Sequence, residues 1–172
     1  MPRTGWPSKA EAERWEVEAF MTHYRRLTGE RTLEVVRRQE RPDWIVRDLA
    51  TSEVLGVELT SVYLDDRSVP DLHRRDGVPQ IPYREEEIAA YGARIGAAVQ
   101  KKVRLARSGY DTNVPLILSV YANEYVTIHM KEKEWQDVVD AHGPTFDDMY
   151  PITEVVIWPL VNGGVLRIRP SV

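Results

Sequence analysis

The first strong pattern in the chain is a helical one, over residues 9–27. Apolar side chains recur there every three or four residues and share one face of a helix: Val17, Phe20, Met21, Tyr24 and Leu27. Ser8 precedes this stretch as a candidate N-cap, and Gly29 follows it as a candidate end. The pattern predicts an amphipathic helix with a single buried face.

Three short segments with the character of strands follow, over residues 32–38, 44–49 and 54–63. Residues 50–53 have the composition of a hairpin turn between the second and third. The third segment is the most apolar, as expected of a central strand. The charged, proline-rich residues 64–82 then predict a long loop, either a lid or nucleic-acid clamp beside the third strand or a plain surface loop.

The second half of the chain predicts further helices and strands. Residues 83–107 form a helical pattern with a face made of Ile88, Tyr91, Ile95, Ala98, Val99, Leu105 and Ala106. Residues 115–121 are a continuous apolar run typical of a buried strand. A helix over 131–142 and a hairpin of strands 154–160 and 165–169, turning at Asn162-Gly163-Gly164, complete the order. This order predicts an α/β fold with a mixed central sheet flanked by helices.

Composition narrows the class of protein. A chain of 172 residues with net charge −4 suits one soluble domain over residues 1–172. It contains no cysteine, which excludes disulfides and thiolate chemistry, and no apolar run long enough to span a bilayer. We therefore expect a cytoplasmic protein. Arginine clusters at 25–31, 37–41 and 74–75 either contact phosphates or form solvated surface pairs with neighbouring acids.

The candidate chemistry lies in the second and third predicted strands. Glu58 stands in an apolar strand between Val57 and Leu59, where an ionised carboxylate is costly unless something pairs with it. Asp43 lies near the start of the partner strand, so a hairpin would bring the two acids close together. Two carboxylates with a strand carbonyl leave the open, water-rich coordination that Mg²⁺ favours.

Pro42-Asp43 followed by Gly56-Val57-Glu58-Leu59-Thr60, with the predicted element order, resembles the PD-(D/E)XK nuclease superfamily. The resemblance covers an αβββαβ restriction-endonuclease-like core over about residues 9–121, with a helix and β-hairpin added over 122–172. It implies that Asp43, Glu58 and the Leu59 carbonyl bind Mg²⁺ or Mn²⁺. It also implies hydrolysis of nucleic-acid phosphodiester bonds, with DNA favoured over RNA. Without the resemblance, Asp43 is a turn residue after proline and Glu58 a partner for a buried arginine.

The sequence departs from this family at Thr60, where the motif has a lysine. Lys102 lies near the middle of the apolar face of the helix over 83–107, so we expect it to take the lysine role. Alternatively, the Lys102 side chain lies along the apolar stripe and carries its charge past the end of the stripe into water. Glu13 lies on the apolar face of the first helix and Glu16 at its edge. The resemblance implies that one of them completes the metal site, directly or through water; otherwise both simply complement the helix dipole as acids of the first turns.

The missing lysine and the acidic balance keep a second function open. A catalytically degenerate member of the same fold would serve as a nucleic-acid-binding or protein-interaction module. In either case a domain of this size has little room for its own recognition module, which makes a homodimer or a protein partner a reasonable expectation.

Overall fold

A computed structural model describes residues 8–29, 31–62, 85–110, 113–122, 132–141, 146–158 and 166–170. The helices are α1 (Lys9–Thr28), α2 (Glu85–Gly109) and α3 (Glu132–Ala141). The strands are β1 (Leu33–Arg38), β2 (Trp44–Asp48), β3 (Val54–Ser61), β4 (Leu116–Tyr121), β5 (Ile152–Trp158) and β6 (Leu166–Ile168). The described elements therefore follow the order that the hydrophobic pattern predicts.

The six described strands form one sheet, in the order β1-β2-β3-β4-β5-β6. Strands β1, β2 and β3 are antiparallel neighbours, β4 and β5 run parallel to β3, and β6 returns antiparallel to β5. The prediction of a mixed sheet is confirmed. Because β3, β4 and β5 are parallel, their carboxyl ends meet at one edge of the sheet.

The helices lie on both faces of the sheet and enclose two hydrophobic cores. Helix α1 packs Val17, Phe20 and Tyr24 against one face, with Val57 and Leu59 of β3 among its contacts. Helices α2 and α3 cover the other face. Their core includes Tyr91, Ile95, Val99, Val103, Trp135 and Val138. Side chains alternate along β3, so Glu58 projects toward the α2 face while its neighbours project toward α1.

Helix α1 begins and ends as its sequence predicts. The Ser8 hydroxyl accepts a hydrogen bond from the Glu11 amide at 3.2 Å, and the Glu11 carboxylate accepts one from the Ser8 amide at 2.8 Å. This reciprocal capping box pairs two amides that the helix itself leaves unbonded. At the other end Gly29 adopts a φ of 81°, a left-handed conformation that favours glycine.

The prediction of the buried face of α2 is wrong at one residue, Leu105. Leu105 is 38% exposed, whereas Val103, which we did not assign to that face, is fully buried. Successive helical residues turn by about 100°, so Val99, Val103 and Ala106 form the continuous stripe and Leu105 lies to one side. The loop over residues 64–82 and the turn at 162–164 lie outside the described residues. Among the described helices, none is long and apolar enough to cross a bilayer.

Candidate active site

The position of Asp43 depends on close packing between the loop before β2 and the middle of β3. A Cβ atom at Gly56 would lie 2.7 Å from Pro42 Cγ and 2.6 Å from Leu116 Cδ2, both far inside contact distance. Glycine at this position therefore lets the buried proline ring lie directly on the strand. The Asp43 carboxylate follows and accepts a hydrogen bond from the Leu59 amide at 2.8 Å through Oδ2.

The direction of the Leu59 carbonyl follows from the pairing of β3. The Gly56 amide donates to the Pro115 carbonyl on the β4 side, so the backbone groups of Glu58 also face β4. Those of Leu59 face the opposite side, where its amide reaches Asp43. Since the N–H and C=O of a strand residue point to the same side, the Leu59 carbonyl also faces the space beside Asp43.

Glu58 is buried, with 4% of its surface exposed. Its Oε1 accepts hydrogen bonds from Lys102 Nζ and, at 2.7 Å, from the Tyr110 hydroxyl. Its Oε2 is buried without a hydrogen-bond partner among the described residues. A buried carboxylate oxygen without a partner is costly, so a further ligand on this atom would be stabilising.

The two predicted glutamates of α1 have different partners. Glu16 Oε1 accepts a hydrogen bond from the Ser61 hydroxyl at 3.3 Å. Glu13 is bound by Arg38 of β1 and lies 3.5 Å from Lys9 Nζ. In this arrangement the charge of Glu13 is already balanced by cations, whereas Glu16 has a hydroxyl as its nearest polar partner in the described contacts.

Electrostatics links all five predicted side chains. Burial, followed by the negative charge of Glu58, raises the pKa of Asp43 to about 6, and Lys102 opposes this rise. Burial also raises the pKa of Glu16 to about 7, with further contributions from Asp43 and Glu13. The structure therefore places the five predicted residues close enough together for their charges to interact. Clustered carboxylates with raised pKa values are typical of functional sites.

Other buried acids in the described chain have arginine partners and different surroundings. Asp48 Oδ2 accepts a hydrogen bond from Arg31 at 2.5 Å, which holds the pKa of that carboxyl below its ordinary value. Glu154 accepts from Arg167 at 2.7 Å. Its Oε1 also lacks a hydrogen-bond partner among the described residues, but arginines and Tyr24, not carboxylates, are the groups that act on it. These two acids tie strands and turns together, and the cluster around Asp43 and Glu58 stands apart from them.

Sequence reasoning missed three partners of the site. Tyr110 binds Glu58, Ser61 binds Glu16, and Arg38 binds Glu13. Tyr110 comes directly after α2 and follows Lys102 by a little over two helical turns, a spacing that leaves both near one side of the helix. That spacing was the available signal for Tyr110, whereas the other two contacts join elements distant in the sequence.

The donor set is suited to a hard divalent cation. Asp43, Glu58 and the Leu59 carbonyl are oxygen ligands of the kind that Mg²⁺ and Mn²⁺ accept. Glu58 Oε2, which has no hydrogen-bond partner within the described part of the chain, is available to bind a cation. Within the described ranges, no three acidic or histidine side chains form a ready cluster for a metal. A cation here would therefore rely on two carboxylates, a backbone carbonyl and water.

No family model, no curated protein and no solved structure matches the chain.

Proposed function

We propose that this protein is a metal-dependent phosphodiesterase that cleaves nucleic acid, with DNA preferred over RNA. The observation that carries the proposal is the buried Glu58, whose Oε2 lacks a hydrogen-bond partner in the described structure. The half-buried Asp43 lies close enough for the negative charge of Glu58 to raise its pKa. A purely structural carboxylate on a central strand gains nothing from a second acid beside it. The resemblance of the element order and of the Pro42-Asp43 and Glu58 positions to a PD-(D/E)XK core also supports the proposal.

The chain offers metal ligands and a proton acceptor for such a reaction. Asp43, Glu58 and the Leu59 carbonyl would hold Mg²⁺ or Mn²⁺. A cation bound there would lower the pKa of a water molecule and stabilise the charge that builds on the scissile phosphate. Glu16, whose pKa lies near 7, is suited to accept a proton at neutral pH, while Glu13 contributes negative charge nearby.

Lys102 supports the proposal because it reaches Glu58 from α2 and brings an ammonium group to the site. The motif lysine is replaced by Thr60, so the required positive charge has to come from elsewhere. Lys102 is partly accessible, with 21% of its side chain exposed. In the proposed reaction it orients the attacking water and offsets the charge of the phosphate.

Phosphate binding would depend on cations near the Asp43 end of the sheet, because the net charge of −4 gives no general attraction. Arg41 is exposed and directly precedes Pro42, and Arg38 is exposed at the end of β1. Arg25 lies nine residues after Glu16, about 14 Å along the helix axis. Arg38 already binds Glu13, so Arg41 is the better candidate in the described chain for holding the backbone beside the scissile bond.

The test is cleavage of plasmid and single-stranded DNA, with Mg²⁺ or Mn²⁺, by two charge-removing variants. Asp43→Asn keeps an acceptor for the Leu59 amide, and Glu58→Gln keeps one for Tyr110. We expect each to lose at least about 100-fold in cleavage rate, as charge-stabilising groups do when removed. Asp137→Asn, an exposed acid on α3, is the matched control and should cleave normally. Unchanged cleavage by both site variants would contradict the proposal.

The second candidate is a degenerate domain that binds nucleic acid or a protein without cleaving. The Lys102–Glu58 ion pair favours it, because a lysine already balances the charge of that glutamate. Thr60 is the second feature in its favour. Calorimetric titration with Mn²⁺ separates the two candidates. No heat of binding, together with no cleavage of either plasmid or single-stranded DNA by the wild-type protein, would favour the binding module.

A further inference from the structure

The carboxyl ends of the three parallel strands form a row beside the candidate active site. Ser61, Tyr121 and Trp158 are the last residues of β3, β4 and β5. Their register aligns them, Ser61 opposite Tyr121 and Tyr121 opposite Trp158. Neighbouring strands lie about 4.8 Å apart, so the row extends roughly 10 Å from the residue that binds Glu16. Ligands of open α/β sheets commonly bind at such an edge.

Three aromatic rings pack together over this row, and we call Trp15, Tyr121 and Trp158 the aromatic platform. The Tyr121 and Trp158 ring centroids are 4.8 Å apart. Trp15 of α1 meets Tyr121 edge-on, with centroids 5.4 Å apart, and lies 6.4 Å from Trp158. Trp158 is fully buried and its indole N–H donates to the Ser119 hydroxyl at 2.8 Å, which anchors the base of the platform.

The outer ring of the platform is open to solvent. Trp15 is 54% exposed although it is the largest apolar side chain on α1. A single exposed apolar residue needs no explanation. Here, however, the exposed indole is supported by two further rings and immediately precedes Glu16, whose carboxylate lies at Ser61. An immobilised aromatic surface thus adjoins the acidic cluster.

We propose that the aromatic platform stacks an unpaired nucleobase of the strand that is cleaved, so that the substrate is single-stranded nucleic acid. The inference rests on the proposed function, and it names the substrate class for the same site. Every base has a π face, so stacking on Trp15 tolerates any sequence. In a duplex the bases stack on one another and offer no free face, so a duplex gains nothing from Trp15 unless it is frayed or opened.

The experiment measures binding of a fluorescein-labelled single-stranded oligodeoxynucleotide, and of its blunt duplex, by fluorescence anisotropy. Calcium replaces magnesium so that binding is observed without cleavage. We expect wild-type protein to prefer the single strand. Trp15→Ala should weaken single-strand binding about 5- to 150-fold, the range found for removal of one stacking aromatic. Duplex binding should change much less.

Three further variants separate stacking from a general loss of apolar surface. Trp15→Leu retains apolar bulk without a π face and should weaken binding as Trp15→Ala does, whereas Trp15→Phe should retain most of it. Leu49→Ala removes a side chain of matched exposure, 55%, in the turn after β2, and should bind as wild type. Urea unfolding midpoints establish that each variant is folded.

Equal single-strand binding by wild type and Trp15→Leu would overturn the proposal, as would a wild-type protein with no preference for the single strand. The cleavage assay tests the proposed function separately from the binding assay. Loss of cleavage in Asp43→Asn and Glu58→Gln with no role for Trp15 would leave the phosphodiesterase and remove the platform. Binding that depends on Trp15, without any cleavage, would leave the aromatic platform and remove the phosphodiesterase.

Discussion

The ion pair between Lys102 and Glu58 makes a quantitative prediction about stability. Breaking a fully buried pair costs about 3–5 kcal/mol, because the remaining charge stays buried without its partner. Here Glu58 is 4% exposed, but Lys102 is 21% exposed and Tyr110 would still donate to the carboxylate. We therefore expect Lys102→Met to lower the free energy of unfolding by about 2–3 kcal/mol.

The assay is urea unfolding, followed by circular dichroism, with EDTA present. Glu58→Gln should cost only about 1 kcal/mol, since the partly exposed lysine can turn toward water. The double variant Glu58→Gln/Lys102→Met should then be more stable than the sum of the single effects predicts. The difference, a coupling free energy of about 1–2 kcal/mol, measures the pair itself.

Lys101 provides a matched control one residue away. It is exposed on α2, and Lys101→Met should change the free energy of unfolding by no more than about 0.5 kcal/mol. If Lys102→Met were equally mild, or if the double variant were strictly additive, Glu58 would not be the buried and coupled carboxylate described here. Its Oε2, which has no hydrogen-bond partner among the described residues, would then no longer support a metal site.

Two other predictions test the surroundings of Asp43. Gly56→Ala should lower the free energy of unfolding by about 1–3 kcal/mol in urea, because its Cβ would overlap Pro42 and Leu116; a neutral effect would contradict that packing. The raised pKa of Asp43, about 6 against an ordinary 3.8, means that the folded state binds the proton more tightly. Stability from this group is therefore present below about pH 4 and lost as the pH rises through about 6. Asp43→Asn should remove this loss, gaining about 1–2 kcal/mol relative to wild type between those pH values after allowance for partial exposure. A difference independent of pH in urea titrations would refute it.

Much of the fold could be predicted because it follows from local periodicity. The apolar stripe of α1 and the continuous apolar run of β4 are each decided by neighbours within one element. The exposed Leu105 shows the limit of this reasoning. An apolar residue at the edge of a helical face is buried only if another element covers it, and coverage is a property of the packed chain.

The candidate site was predicted in part for the same reason. Glu58 stands out because a carboxylate interrupts an apolar strand, and Lys102 because a lysine interrupts an apolar helix face. Tyr110 is an aromatic residue near a helix end, with no such conflict to mark it. The aromatic platform joins a helix to the ends of two strands, and only the register of those strands places its rings together.

The outer strands of the sheet have a consequence for how this protein behaves in concentrated solution. In the described part of the sheet, β6 at one edge is three residues long. At the other edge, β1 has a register irregularity between Val35 and Arg37, and it ends in two arginines. Short length, local twist and charge all disfavour pairing with the edge of another molecule. Despite two half-exposed valines on β1, we therefore expect the chain to resist edge-to-edge aggregation.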